Sequence, residues 1–210
     1  MIKLRIALAA ALAATAASAQ AQTGLRADVH VGWDRLSAHQ RTDVGTNGGT
    51  TRQHESGLIY GGEIGYDLAL SGFRLGVYSG IEGGTAKRCS EVYAEVETCA
   101  QAGRNFTVGA RAGYQVTDRV LVYAKGGYSN GSIKLKLIDH VTPANSISTS
   151  EDMDGFHVGG GVQVGLFDRV YAKVEYVRTD YKDYSLKEGT ATIKGGVDRD
   201  NVIFGVGIAF

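Results

Sequence analysis

From residue 25 onward, the sequence alternates apolar and polar residues with a period of two. In the first such run, Val29, Val31 and Trp33 share one face, and His30 and Asp34 share the other. Successive side chains of a β-strand point to opposite faces, whereas a helix repeats its apolar positions every three or four residues. Thirty glycines and a single proline also suit extended strands better than helices. The pattern predicts an all-β protein.

Eight alternating runs follow one another along the chain, at residues 25–34, 58–68, 73–82, 105–116, 120–128, 156–166, 170–176 and 201–210. Long polar segments join some of these runs, at 38–55, 87–102, 138–154 and 180–200, and tight turns join the others, at 69–72, 117–119 and 167–169. Alternation of long and short connections is typical of outer-membrane barrels, which have short periplasmic turns and longer extracellular loops. We predict an eight-stranded antiparallel up-and-down transmembrane β-barrel.

The N-terminus has the pattern of a signal peptide. Lys3 and Arg5 precede an apolar run at 6–17, which is too short to span a bilayer as a helix. Small residues allow cleavage after Ala19 or after Ala21, and the second site makes residues 1–21 the signal peptide and 22–210 the barrel domain. The remainder of the sequence has no apolar stretch near the ~20 residues that a transmembrane helix requires, which excludes a helical membrane protein.

Ten ionisable residues lie on the polar faces of the runs, and they decide which face meets lipid. They are Asp28, Glu63, Asp67, Glu82 and Glu175, with Arg26, Arg74, Arg111, Lys125 and Lys173. A soluble eight-stranded calyx would turn this face to water, so alternation alone leaves that fold open. Aromatic residues such as Trp33 and Phe106 lie near the strand ends on the apolar face, as in interfacial girdles. This placement favours a membrane barrel. Its charges would lie inside, because each base facing lipid at the midplane would cost about 2–4 kcal/mol.

These ten residues are predicted to form a charge network in the lumen. An eight-stranded barrel is just wide enough to be filled by its own side chains, so five acids and five bases would pair across it and leave no open channel. A proton or ion path is the alternative.

The whole sequence has 22 basic and 22 acidic residues, which excludes the electrostatic footprint of a nucleic-acid-binding protein.

Cys89 and Cys99 are the only cysteines. Export to an oxidising compartment favours a disulfide between them, and their spacing does not match a CxxC redox or zinc motif. We expect a disulfide that restrains the second long loop.

No motif indicates an enzyme, a cofactor or a metal site. His39, His54 and His140 lie in predicted loops or at strand ends, without a serine and an acid spaced to suggest a triad. Gly159, Gly160 and Gly161 lie within a predicted strand, not in a phosphate-binding loop. We predict a non-enzymatic structural or surface-interaction barrel. A small porin-like channel and a lipid-modifying enzyme remain as alternatives.

Two stretches resemble small outer-membrane barrels of the opacity-protein type, which include surface antigens of alphaproteobacteria. One runs from Val158-Gly159-Gly160-Gly161-Val162 to Thr179-Asp180-Tyr181, and the other is the C-terminal stretch 202–210. The resemblance implies an outer-membrane location, with Phe210 as part of the signal read by the barrel-assembly machinery. It also implies roles in envelope integrity, or in binding a host or envelope ligand through extracellular loops.

Overall fold

The computed structural model describes residues 23–44, 47–93, 96–139, 147–182, 184–188 and 191–210, so the predicted signal peptide lies outside the described residues. Within these ranges the chain forms ten strand segments: β1 (Gly24–Val44), β2 (Asn47–Leu70), β3 (Phe73–Gly84), β4 (Lys87–Tyr93), β5 (Val96–Thr117), β6 (Val120–Asp139), β7 (Ile147–Gly165), β8 (Val170–Tyr181), β9 (Tyr184–Glu188) and β10 (Ala191–Ala209). No described helix is long and apolar enough to cross a membrane.

The strands form one antiparallel sheet that closes on itself. Strand β1 pairs with β2 along one edge and with β10 along the other, so that Arg26 lies opposite both Gly65 and Ala209. The described strands around the closed part follow the order β1-β2-β3-β5-β6-β7-β8-β10. The predicted eight-stranded antiparallel barrel is therefore confirmed.

The predicted tight turns lie at one end of the barrel, together with the start of β1 and the end of β10. In the turn between β2 and β3, Ser71 and Gly72 have φ values of 45° and 91°. Two successive residues with positive φ make a type I′ turn, whose twist matches that of the strands it joins, and glycine adopts this conformation without steric cost. By the expected topology, this is the periplasmic end.

The four predicted long loops are wrong as loops, because strands occupy most of each segment. Strand β1 continues to Val44 and β2 begins at Asn47, so the predicted loop at 38–55 is a long hairpin that contains His39 and His54. The hairpin of β4 and β5 replaces the loop at 87–102. Above the membrane both faces of a strand meet water, so the ladder continues while the alternation that marks a strand in the sequence disappears. His140 lies outside the described residues.

The outer surface carries a continuous apolar belt between two sets of aromatic residues. At the periplasmic side, the Phe73 and Tyr114 rings lie 5.1 Å apart between centroids, and at the other side the Trp33 and Phe204 rings lie 6.0 Å apart. Beyond this second set, outward-facing positions become charged, beginning with Arg178, which is opposite Asp200. On β10 the belt covers residues 202–210, a height of about 20–25 Å for tilted strands, which matches the hydrocarbon thickness of an outer membrane.

We expect a charge at the middle of this belt to destabilise the inserted barrel much more than a charge at its rim. Val77 lies opposite Ala110, midway between two aromatic residues of β5, Tyr114 and Phe106, whereas Val116 lies beside the periplasmic turn. Val77→Arg should cost about 2–4 kcal/mol, and Val116→Arg about 0–1 kcal/mol. Urea unfolding in phospholipid vesicles measures both free energies. Equal costs for the two variants would show that the apolar face does not meet lipid.

Candidate functional site

The charged interior of the barrel, at the level of the membrane, is the candidate site. All ten predicted lumen residues face inward, and eight of them expose at most 7% of their surface, the exceptions being Arg74 and Glu82, which are half-buried. Buried charges are costly unless they are paired and hydrogen-bonded. The arrangement of partners therefore determines whether this interior is stable.

Six of the charges form a closed circuit in which acids and bases alternate. Around the circuit, Arg26 contacts Glu63 (2.6 Å), Glu63 contacts Lys125 (2.5 Å), Lys125 contacts Glu175 (3.4 Å), Glu175 contacts Lys173 (3.3 Å), Lys173 contacts Asp28 (2.9 Å), and Asp28 lies 3.6 Å from Arg26. We call these six residues the charge ring. Each member has a neighbour of opposite sign on both sides, so the ring is electrically neutral.

The strand period explains how so few strands supply the ring. Strand β1 contributes two residues spaced by two, Arg26 and Asp28, and β8 does the same with Lys173 and Glu175. Residues at this spacing share a face of the sheet. Between these strands lies β10, whose inward Gly205 leaves room: a Cβ there would lie 2.9 Å from Lys173 Cε.

Tyrosines bind the ring from the barrel wall. The Tyr123 hydroxyl donates to Glu175 Oε1 at 2.5 Å, and the Tyr171 hydroxyl donates to Asp28 Oδ2 at 3.1 Å. The Lys125 ammonium also lies 4.3 Å from the centre of the Tyr78 ring, within range of a cation–π interaction. These three tyrosines lie within the alternating runs 73–82, 120–128 and 170–176, but no role for them was predicted from the sequence. The available signal was their spacing, since each lies an even number of residues from an inward-facing charge on its own strand.

A further ion pair lies toward the periplasmic end and is joined to the charge ring, because Arg26 Nε lies 3.5 Å from Asp67 Oδ1. Arg111 donates two hydrogen bonds to the Asp67 carboxylate, one of them from Nε at 2.9 Å, and a third to Gln163 at 3.3 Å. Arg74 faces the same interior but forms no ion pair with any described residue, and it lines a pocket of about 470 Å³. This pocket is the periplasmic mouth of the lumen.

Toward the extracellular end, an apolar layer lies above the ring on one side of the barrel. It consists of Ile59, Val177 and Ile203, which are at most 7% exposed. Ile59 and Ile203 flank Gly32 of β1, two residues beyond His30. His30 in turn contacts Asp28 at 3.1 Å and lies 3.7 Å from Glu82.

Above the apolar layer, Arg199 donates to both carboxylate oxygens of Asp34, at 2.7 and 2.8 Å. This buried pair was not predicted from the sequence. Asp34 was placed on a polar face, but Arg199 was assigned to a loop because the residues around it do not alternate. Up to the level of this pair, the described interior contains six carboxylates and six Lys or Arg side chains.

Above the outer aromatic residues, the surface brings together serine, histidine and aspartate side chains from different strands. Ser37 Oγ lies 2.9 Å from His54 Nδ1, and His39 Nδ1 lies 3.8 Å from Asp198. The serine and the acid thus contact different histidines, and these contacts do not assemble a catalytic triad. Partial burial, together with a hydrogen bond to Asp180, raises the pKa of the Asp198 carboxyl.

The structure joins Cys89 and Cys99 in a disulfide between the paired strands β4 and β5. Among the described residues, these two cysteines and Glu97 form the one cluster of three potential metal ligands. Both sulfur atoms are held in the disulfide, so they are not available as thiolates, the form in which cysteine binds metals.

We expect the charge ring to be sensitive to loss of one member. Glu63→Gln would leave the buried Arg26 and Lys125 without their shared carboxylate, and breaking a buried pair in this way costs about 3–5 kcal/mol. Asp180→Asn is the matched control, since it removes a carboxylate from an exposed pair with Arg178, worth about 0–1 kcal/mol. Urea unfolding in vesicles, followed by the fluorescence of Trp33, measures both. A loss below about 1 kcal/mol for Glu63→Gln would contradict the importance of the ring.

Comparison with known proteins finds one curated relative and several solved structures that are similar to this chain. The 22 kDa outer membrane protein of Rhizobium leguminosarum bv. viciae is 30% identical over 110 residues, which cover 51% of this chain and 47% of that protein, so the match spans about half the length of the relative. Among solved structures, the attachment invasion locus protein Ail of Yersinia pestis is 12% identical with a TM-score of 0.39, over 87% of this chain and 100% of Ail. Neisserial surface protein A is 14% identical with a TM-score of 0.42, over 87% of this chain and 97% of that protein.

The family assignment rests on a match that covers nearly the entire sequence. The family model described as outer membrane protein beta-barrel domain matches residues 6–210. This range includes every described strand, from Gly24 to Ala209. The chain therefore belongs to the outer membrane protein β-barrel family and resides in the outer membrane.

Proposed function

We propose that this protein is a surface-interaction barrel, in which the membrane part is an anchor and the extracellular extension contacts a host or envelope ligand. The observation that carries the proposal is the filled interior, where the neutral charge ring and the apolar layer occupy the lumen at the level of the membrane. A lumen filled in this way favours an anchor over a conduit.

Two properties of the interior oppose passage of solutes. An ion entering the ring would have to separate charges that are paired and shielded from water, such as Lys173 and Asp28, both side chains of which are 0% exposed. Beyond the ring, Ile59 and Ile203 occupy one side of the lumen and offer no hydrogen bonds to replace the hydration shell of an ion. The pockets at the two ends, near Arg74 and near Leu36, lie on opposite sides of these layers.

The extension supplies the surface for an interaction. Strand β1 continues for eleven residues beyond Trp33, to Val44, which raises it about 25–30 Å above the belt if the strand keeps its tilt. Surface residues such as Arg52 and Asp152, unlike the apolar side chains of the belt, carry charges that suit contact with a soluble or polar partner.

Two further partners follow from the anchor role. The apolar belt would contact outer-membrane lipid. Phe210, whose outward side chain is 49% exposed and whose N–H donates to Leu25 O at 2.8 Å, would be read by the barrel-assembly machinery before the barrel closes. Its position at the end of the last strand supports this role, because an assembly factor reaches such an edge while it is still unpaired.

We expect proteoliposomes that contain the refolded protein to show no more ion conductance or arabinose uptake than protein-free vesicles. The double variant Glu63→Ala/Lys125→Ala is the matched comparison, because it removes two opposite charges together and widens the lumen. Its uptake should exceed that of the native protein. Steady conductance of the native protein would instead support a small pore.

We also expect no reaction with membrane lipid. Ser37 and His54 form an exposed serine–histidine pair above the outer aromatic residues, whereas the pair of Ser129 and His157 is buried in the lumen, so Ser37→Ala is the informative variant. Incubation with phospholipid and with lipid A, followed by mass spectrometry, should detect no new product from either protein. A product that disappears in Ser37→Ala would identify a lipid-modifying enzyme.

A further inference from the structure

The barrel does not stay closed above the membrane. At residues 47–57, the described part of β2 pairs with β1 alone. At residues 147–153, β7 pairs with β6 alone. Strand β4 pairs only with β5, and β9 only with β10. The extension thus consists of two four-stranded blades, β9-β10-β1-β2 and β4-β5-β6-β7. On the side of β2 and β4 the blades still touch at their base, where Gly57 lies against Ala86, and above this contact no described strand pairs β2 with β4.

Thr85 marks the point where the blades separate on one side. Its N–H donates to Leu58 O at 2.9 Å, but its hydroxyl, not its carbonyl, accepts from Leu58 N–H at 2.8 Å. A side-chain hydroxyl therefore replaces a backbone carbonyl in the last pair of hydrogen bonds between β2 and the chain that continues from β3. The following residue, Ala86, accepts from Ala102 N–H of β5 at 2.9 Å, so the chain has by then turned to its other neighbour.

The separated edges carry backbone groups that no described strand pairs. Because Leu58 directs its N–H and C=O toward Thr85, the alternate residues Ser56, His54 and Arg52 direct theirs toward the same gap. On the opposite edge, Lys87 and Cys89 do so by the same alternation, counted from Ala86. A strand edge of this kind is a template for pairing with another extended chain.

A small apolar pocket lies on the inner side of this gap. It has a volume of about 220 Å³ and is lined by seven apolar residues, including Leu36 and Val197 from one blade and Ala86, Ala102 and Ile133 from the other. Gln53, Glu55, Lys87 and Gln101 complete the lining. An extended segment lying along β2 would direct every second side chain toward this pocket. The pocket therefore favours apolar residues at alternate positions.

The outer side of the gap has the opposite character. Arg52 and His54 on β2 and Lys87 on β4 are exposed, and the described outward side chains of these two edges include no acid. The other set of side chains of an added strand would lie beside these residues. Charge complementarity therefore favours acidic residues at the remaining positions.

We propose that the gap between β2 and β4 binds an extended segment of another protein, with alternating apolar and acidic residues, by strand addition to the free edge of β2. The segment's backbone pairs with Arg52 and His54, above the contact of Gly57 with Ala86. Its apolar side chains enter the pocket, and its acids face Arg52 and Lys87. The disulfide between Cys89 and Cys99 holds β4 against β5, so the far edge of the gap is in place before the segment arrives. This inference rests on the proposed surface-interaction function and names its partner class.

The test uses the full barrel in nanodiscs and a synthetic octapeptide that alternates valine and glutamate. We expect the peptide to bind in calorimetry. We expect the same peptide with N-methyl groups on alternate backbone amides, which cannot donate hydrogen bonds to an edge, to bind at least about tenfold more weakly. Hydrogen exchange of the native protein should also slow at the amides of Arg52 and His54 when the unmodified peptide is added. Equal binding of the two peptides, or no binding of either, would overturn strand addition.

Two variants of one residue separate the backbone from the side chain. His54→Pro removes an N–H from the free edge, a position where proline leaves the ladder with β1 intact, and should weaken peptide binding about tenfold or more. His54→Ala keeps the N–H and should bind within about threefold of the native protein. Equal losses in both variants would assign binding to the imidazole and contradict the proposal. Failure of the peptide to bind, with no solute flux through the native barrel, would leave the proposed function standing and remove only this partner class.

Discussion

The absence of hydrogen-bonding partners in hydrocarbon is the constraint on which the structure depends. Within the belt, every backbone group must be paired inside the protein, and a closed sheet is the arrangement of strands that achieves this. The same constraint turns ionised side chains toward the axis. In this small barrel they meet one another instead of water, and their balance of charge becomes a condition of the fold.

Closure and separation of the strands follow the boundary of the membrane. Pairing around the barrel is continuous from the periplasmic turns to Thr85 and Lys182, and above these residues the sheet divides. Water can satisfy an unpaired strand edge, so the requirement for a closed sheet ends where lipid ends. The protein thus combines a fully paired anchor with an extension in which unpaired edges are tolerated.

The membrane part could be predicted well from the sequence because its strands have lipid on one face and the lumen on the other. Residues such as Val29 and His30 differ sharply where one meets lipid and the next meets the lumen, so strand number, facing and turns could be read. The extension was mistaken for loops because residues such as Thr50 to His54 meet water on both faces and do not alternate. The pairing of Asp34 with Arg199 was missed for the same reason, and cross-strand neighbours such as Ser37 and His54 depend on a register that spacing alone does not reveal.

The composition of the charge ring bears on the order of assembly. Its members come from β1 and β2 at the start of the barrel, from β6, and from β8 near the end. The circuit is therefore complete only when the last strand, β10, pairs with both β8 and β1. A partly formed sheet would carry Arg26 and Asp28 without the lysine and glutamate of β8. The ring therefore stabilises only the completely closed barrel. Intermediates with an open seam carry unpaired charges, which disfavour their insertion into the bilayer.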